Sequence, residues 1–323
     1  MRALVTGGAG FIGSHIVDLL LEEGHEVAVV DNLATGKLEN LSPAAGFYRI
    51  NISDPMLQDV IATERPEVVF HEAAQMSVKV STDDPIHDAR VNVIGLLNVL
   101  EACVAGGVRK VVFASSGATY GNPVYLPIDE AHPQRPESPY GITKMVAEHY
   151  LHYYSLAHGL SYTALRYGNV YGPRQDSFGE AGVIAIFARQ LLQGQIPVIH
   201  WDGEQTRDYI YVRDVARANL QAMTRGDDGR YCIGTGVGTS VNEIYRLVSA
   251  YLGNTIPPNR APRRAGDLRH AHFDPSRARD ELGFEARVPL EEGLRLTTDY
   301  FRRVFGSRPA RLLSDLSSIP AAS

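Results

Sequence analysis

Apolar residues along the chain fall into two rhythms. Short, nearly continuous apolar runs occupy Arg2–Thr6, Glu26–Val30, Glu67–His71 and Lys110–Ser115, the pattern of strands buried on both faces. Between them, apolar positions three and four apart run from Phe11 to Glu23, from Pro55 to Thr63 and from Ala89 to Ala105, which predicts helices. Gly46–Ile52 and Leu160–Tyr167 read as further strands. Breakers stand where such elements need them: Gly24-His25 closes the first helix and Gly106-Gly107 the third. Strand and helix alternating in this way predict an α/β protein built on a parallel, doubly wound sheet.

Past Tyr167 the rhythm changes. Helical patterns cover Ala181–Leu192, Val212–Met223, Val241–Tyr251 and Leu290–Phe305, with a short one at Pro275–Leu282 stopped by Gly283. Ser240 is placed to cap the third of these. Arg230–Ile233 reads as a strand, and Ile196–Tyr211 as a hairpin turning at Asp202-Gly203. The chain divides accordingly: 1–171 as the sheet domain, rejoined by roughly 206–236, and 172–306 as a smaller α+β lobe. Residues 307–323, rich in Ser, Pro and Ala, are expected as a mobile tail.

The first turn carries chemistry. Gly7-Gly8-Ala9-Gly10-Phe11-Ile12-Gly13 links the first strand to the first helix, and Asp31 ends the next strand, 18 residues beyond Gly13. A G-x-G-x-x-G run is weak alone. Set in a strand–turn–helix–strand–acid unit, it becomes a dinucleotide fingerprint. Glycines let the backbone approach a pyrophosphate, and the helix N-terminus stabilises its charge. Asp31 can accept from an adenosine ribose and would repel a 2′-phosphate, which favours NAD over NADP. In a doubly wound sheet ligands collect at the carboxyl ends of strands, which sets Asp31, Ala73, Ser116 and Asn169 along one crevice.

A second motif is Ser138-Pro139-Tyr140-Gly141-Ile142-Thr143-Lys144. Ser138 suits an N-cap and Pro139 a first helical position. Tyr140 then lies in the first turn, with Lys144 one turn on along the same face. A phenol titrates near about 10, so a base working at pH 7 needs roughly 4 kcal/mol of help. The helix end and the ammonium both favour phenolate. With the positive ring of an oxidised cofactor, they are expected to ionise Tyr140 before substrate reacts. Read alone, Tyr-x-x-x-Lys also describes two surface residues of an amphipathic helix.

Composition narrows the partners. A net charge of −6 offers no electrostatic case for nucleic acid or an anionic membrane. Cys103 and Cys232 have no ligand-type spacing, so neither a disulfide framework nor a metal site is expected. No apolar run approaches the ~18 residues of a membrane span, and a cytoplasmic location is expected.

Thr6-Gly7-x-x-Gly10-x-x-Gly13, Asp31-Asn32, Ser115-Ser116 with Tyr120-Gly121, and Tyr140-x-x-x-Lys144 follow in order. Together they resemble the extended short-chain dehydrogenase/reductase family, built on a Rossmann sheet. More narrowly the chain resembles its NAD-dependent nucleotide-sugar 4-epimerases, of the UDP-glucose 4-epimerase type, from Met1 to about Gly306. The resemblance implies catalysis by Ser116, Tyr140 and Lys144. It implies NAD contacts from Gly7, Gly10, Phe11, Ile12 and Gly13, from Asp31, Asn32, Asn51 and Ile52, and from Ala73, Ala74, Gln75 and Asn92. Tyr140, Lys144, Tyr167 and Val170 complete that set. For a nucleotide-diphosphate sugar, a UDP-hexose above all, it implies Ser116, Tyr140, Asn169, Arg207, Arg264, Asp267 and Ala271. Asn51 stands where the family often has Asp. A small Ala271 would leave room for a 2-acetamido group. The family also implies a homodimer, with the helix of Tyr140 and the one near Asn92–Ala105 packed on their copies. Leu96, Leu97, Val99 and Leu100 cover more than one face of the latter.

Other activities stay open at this level. A 4,6-dehydratase needs an extra acid and base after the serine, where this chain has Gly117-Ala118-Thr119. A uronic-acid 4-epimerase or decarboxylase would call for extra cations near the sugar. An NAD-binding regulatory protein would not need Ser116, Tyr140 and Lys144 together.

Overall fold

The computed structural model describes residues 1–178, 182–264 and 266–306. β1 (Arg2–Thr6), α1 (Phe11–Glu22) and β2 (Glu26–Val30) form the first unit. β3 (Gly46–Tyr48), α2 (Met56–Glu64) and β4 (Val68–His71) follow. Two short helices, α3 (Val78–Asp83) and α4 (Pro85–Ala89), lead to α5 (Gly95–Ala105) and β5 (Lys110–Ser116). α6 (Pro139–His158) starts as its sequence dictates: Ser138 Oγ accepts from Gly141 N at 3.1 Å, and Pro139 opens the first turn. It ends at Gly159, whose φ of +69° suits glycine. β6 (Ser161–Tyr167) and β7 (Asn169–Tyr171) come next.

The second half runs α7 (Val183–Leu192), β8 (Val198–His200), β9 (Thr206–Tyr211), α8 (Val212–Ala222) and β10 (Gly229–Ile233). β11 (Gly238–Ser240), α9 (Val241–Leu252), β12 (Asn259–Ala261), β13 (His270–Ala271) and α10 (Leu290–Phe305) complete it. Ser240 caps α9 by accepting from Glu243 N.

Seven strands form the main sheet in the order β10-β6-β5-β4-β1-β2-β3, parallel throughout. The doubly wound expectation holds. Successive residues point to opposite faces of a strand, and both faces are apolar. Leu4, Val30, Val69, Val111 and Phe113 pack with residues of α2, α5 and α6. Val5, Val29, Phe70, Val112 and Leu165 pack with α1 and α8. Burying each such side chain contributes about 1.5–3 kcal/mol. Winding reverses between β1 and β4, so the loops after them diverge and leave a crevice at their carboxyl ends. A separate core under the small lobe joins α7, α9 and α10 to β9.

Four readings change. Ile196–Tyr211 is not a hairpin. β8 pairs with β12, while β9 pairs with β11, β13 and β7. Strands from distant sequence take both edges of β9, which a local pattern does not reveal. The chain returns to the main sheet with α8 and β10. β7 and β9, which the sequence division groups with that sheet, pair with each other in the small one. The helix expected from Ala89 begins earlier, at Pro85, and widens to a π-type turn over Arg90–Ile94. β3 stops at Tyr48 rather than Ile52. Ala181 and the tail 307–323 lie outside the described residues. Among the described residues no helix is long and apolar enough to cross a membrane.

Candidate active site

The turn after β1 is held closed at two points. Gly7 has φ +70°, and a Cβ there would stand 2.6 Å from Ala73 N. The loops after β1 and β4 therefore touch through a position that only glycine fills. Gly10 is the N-cap of α1 and supplies no side-chain cap, which leaves the first N–H groups of the helix, at Phe11, Ile12 and Gly13, without a side-chain acceptor from the cap. Asp31 is buried. Its Oδ2 accepts from Ala9 N at 3.0 Å and its Oδ1 from Leu33 N at 2.7 Å. This ties the glycine turn to the end of β2 and leaves lone pairs for hydroxyl groups. Asn32 and Asn51 use their amide oxygens locally, on Ala34 N and on Ser53. The Ile52 side chain lies in the core, with its carbonyl accepting from Asn98 Nδ2 at 2.6 Å.

Ser116 ends β5, its Oγ accepting from Ala118 N at 3.1 Å, and its hydroxyl lies close enough to Tyr140 of α6 to favour the phenolate. Lys144 is buried one turn along. Its Nζ donates to the Ala114 carbonyl at 2.7 Å, lies 4.8 Å from the centre of the Phe113 ring and 5.9 Å from that of Tyr140. Burial pushes the Tyr140 phenol up to about 12; Ser116 opposes the rise, while Asp88 and Glu72 add to it. Burial also brings Lys144 down to about 8, against the pull of Glu72 and Asp88. Without a cofactor, the surroundings of Tyr140 therefore favour the neutral phenol, and the positive ring of an oxidised dinucleotide is the remaining contributor of the three expected to ionise it. Desolvation is the largest cause, and the two carboxyl groups act in the same direction on the phenol.

Those carboxyl groups escaped the sequence reading. Asp88 is fully buried: Oδ1 accepts from Gln75 Nε2 at 2.7 Å and Asn92 Nδ2 at 3.0 Å, and Oδ2 from Thr143 Oγ1 at 3.0 Å. Asn92, in the π-type turn, also brackets the Gln75 backbone, accepting from its N–H and donating to its carbonyl, both at 2.9 Å. The segment Ala73-Ala74-Gln75 is thereby fixed against α6. Glu72 accepts from Tyr167 OH at 2.9 Å, which in turn accepts from Asn219 Nδ2 at 2.8 Å. Burial raises Glu72 to about 7. Beneath Ser116, Glu148 receives Arg166 through two bonds, at 2.9 and 2.6 Å, and Ser115 Oγ at 2.6 Å. One sequence signal existed for Glu148: it follows Lys144 by four residues, on the same inward face. Nothing comparable marked Asp88 or Glu72.

The remaining residues line the far side. Asn169 and Val170 lie on β7, with Asn169 exposed and opposite Tyr209 of β9. Arg207 of β9 stands in register with Ala271 of β13. Its Nη1 donates to the Thr206 and Leu268 carbonyls at 2.8 and 2.9 Å. Asp267 is near enough to favour the Arg207 charge, which burial disfavours. Arg264 is exposed, its carbonyl accepting from Asp267 N at 3.2 Å.

Residues 3–234 match the model of the NAD dependent epimerase/dehydratase family. The chain belongs to that family. The epimerase/dehydratase model ends just past β10, but solved structures match through the small lobe as well. A UDP-glucose 4-epimerase from Thermotoga maritima, solved with UDP-glucose, is 50% identical with a TM-score of 0.92, covering 94% of this chain and 99% of that one. The UDP-glucose 4-epimerase of Thermus thermophilus, in complex with NAD, is 47% identical with a TM-score of 0.89 over the same shares. A UDP-N-acetylglucosamine 4-epimerase from Methanobrevibacter ruminantium, in complex with UDP-N-acetylmuramic acid, is 36% identical with a TM-score of 0.90, covering 94% of this chain and 98% of that one.

Proposed function

We propose that this protein inverts C4 of a UDP-hexose, interconverting UDP-glucose and UDP-galactose, and that it acts in galactose metabolism in the cytoplasm. The observation that carries the reading is the cluster of Ser116, Tyr140 and Lys144 at the end of β5, in a parallel sheet whose first strand ends in the glycine turn. NAD fits that turn: a Cβ at Gly7 would close it, α1 begins without a side-chain cap, and Asp31 retains acceptor capacity. Gly7, Gly10, Phe11, Ile12 and Gly13 would hold its diphosphate, Asp31 its adenosine ribose, and Ala73–Gln75, fixed by Asn92, the far side of the cofactor. When bound, NAD supplies the hydride acceptor and donor at C4, and positive charge in its oxidised form.

Tyr140 takes the proton of the 4-hydroxyl and later returns it. Ser116 holds the same oxygen. Lys144, fixed on Ala114, keeps a cation beside the phenol. Arg207, Arg264, Asp267 and Asn169 keep the nucleotide in place while the 4-keto sugar turns over, so that both faces of C4 are presented in sequence. The carboxyl groups nearest Tyr140 are already engaged, Glu72 by Tyr167 and Asp88 by Gln75, Asn92 and Thr143. This favours epimerisation over dehydration, which needs a free acid and base. Ala271, small and in register with Arg207, supports acceptance of 2-acetamido sugars. Two lobes, the main sheet with its helices and the small sheet with α7, α9 and α10, share the crevice in this reading.

The protein would work as a homodimer. Ile142, Tyr153 and Leu156 form an exposed apolar stripe on α6, with Ile94 exposed nearby at the head of α5. Leu96, Val99 and Leu100 are buried in the chain's own core and leave Leu97 as their partly exposed neighbour. Both cysteines are buried free thiols, which suits a reducing compartment. Incubating the protein with UDP, dTDP and GDP sugars and following C4 configuration by NMR tests the activity. Tyr140→Phe should lower turnover at least a thousandfold with an unchanged fold; retained turnover would refute the assignment.

A further inference from the structure

Trp201 is the single tryptophan of the chain and stands at φ +62°. That left-handed conformation is strained for a bulky residue and free of strain for glycine. Strain of this kind persists where surrounding structure enforces it. Here two guanidinium groups lie over the indole, those of Arg263 and Arg269, each 4.6 Å from the ring centre. The turn that Trp201 begins makes further contacts with the same segment. Trp201 N donates to the Ala261 carbonyl at 2.8 Å, and Arg260 Nη1 to the Asp202 carbonyl at 2.9 Å. Arg269 Nη1 donates to both Asp202 carboxylate oxygens, at 2.7 and 2.8 Å. Arg263 Nη2 donates to the Asp267 carbonyl at 2.7 Å. The segment is thus gripped at Arg260–Ala261 on entry and at Arg269 on exit, with Arg263 drawn onto the ring between them. Arg264 and Asp267 lie inside that grip.

We propose that Trp201 is a positioning residue for the nucleotide: its ring holds the arginine-bearing segment in the shape that presents Arg264 and Asp267 to the diphosphate and ribose of the substrate. This rests on the reading of Arg264 and Asp267 given above. The two cationic partners of the ring flank the one exposed arginine assigned to the phosphates. Two cation–π contacts at a partly exposed site set the scale at roughly tenfold in affinity.

The test uses UDP as the probe, the full chain, and Trp201→Gly, which removes the ring and suits the backbone. As the only tryptophan, Trp201 should change its emission saturably as UDP is added to the native protein. W201G should bind UDP about tenfold more weakly by calorimetry and raise the KM for UDP-glucose equally, with kcat unchanged and thermal stability equal or higher. Trp201→Phe, which keeps an aromatic face, should recover most of the affinity. UDP affinity of W201G within twofold of native overturns the proposal. Arg264→Ala separates the two layers. If R264A leaves UDP affinity unchanged, the loop is not the diphosphate site and both readings fall. If R264A weakens binding and W201G does not, only the role of Trp201 falls.

Discussion

The Glu72 carboxyl lies just past β4, accepts from Tyr167 and is raised by burial to about 7 from an ordinary 4.5. The folded protein therefore binds this proton more tightly than the unfolded chain does. Stability from that difference is fully present below about pH 4.5 and is lost as the pH rises through 7. A carboxyl moved that far corresponds to about 3 kcal/mol; its partial exposure to the crevice lowers the expectation to about 2 kcal/mol. Glu72→Gln keeps an acceptor for Tyr167 and removes the titration. Urea unfolding of both proteins at pH 5, 6, 7 and 8 should show the native protein losing about 2 kcal/mol relative to the variant across that range. His15 and His71, held down to about 4 and about 3 by burial, give the opposite slope, since their stability is lost as pH falls. They are present in both proteins and cancel in the difference. Parallel stability curves would refute the placement of a buried, titrating carboxyl beside Tyr140.

Gly7→Ala should place a methyl against Ala73 N at a φ of +70°, lowering stability by about 1–3 kcal/mol and NAD affinity at least tenfold; fluorescence titration with NADH measures the latter, and native affinity would show that the turn does not hold the cofactor. Arg166→Met removes one partner of the buried pair with Glu148 and should cost about 3–5 kcal/mol in urea unfolding. A loss under about 1 kcal/mol would show that Arg230, 3.3 Å from Glu148, takes its place.

Much of the site could be read before the fold was known, because its signals are local. The Gly7–Gly13 turn, Asp31 at a strand end and Ser138-Pro139 at a helix start each depend on neighbouring residues and on backbone geometry that side chains impose within a few positions. Strand and helix periods are local as well, and they place seven parallel strands and their helices with small errors at the ends. What escaped was long-range. The edges of β9 were taken by β7, β11 and β13, so a plausible hairpin never formed. Asp88 and Glu72 came to act on Tyr140 only because Thr143 and Tyr167, far along the chain, met them in space. Trp201 lies over its cationic partners through a contact no spacing rule connects.

The sequence by itself determined the order of elements, the dinucleotide turn and the Tyr140–Lys144 pair, since these follow from steric and hydrogen-bonding preferences over short spans. The tertiary structure decided the electrostatic surroundings of that pair. Burial removes water from Tyr140 and Lys144 together, and packing brings two carboxyl groups beside them. Desolvation and Coulomb energy depend on distances in space, which separation along the chain does not set.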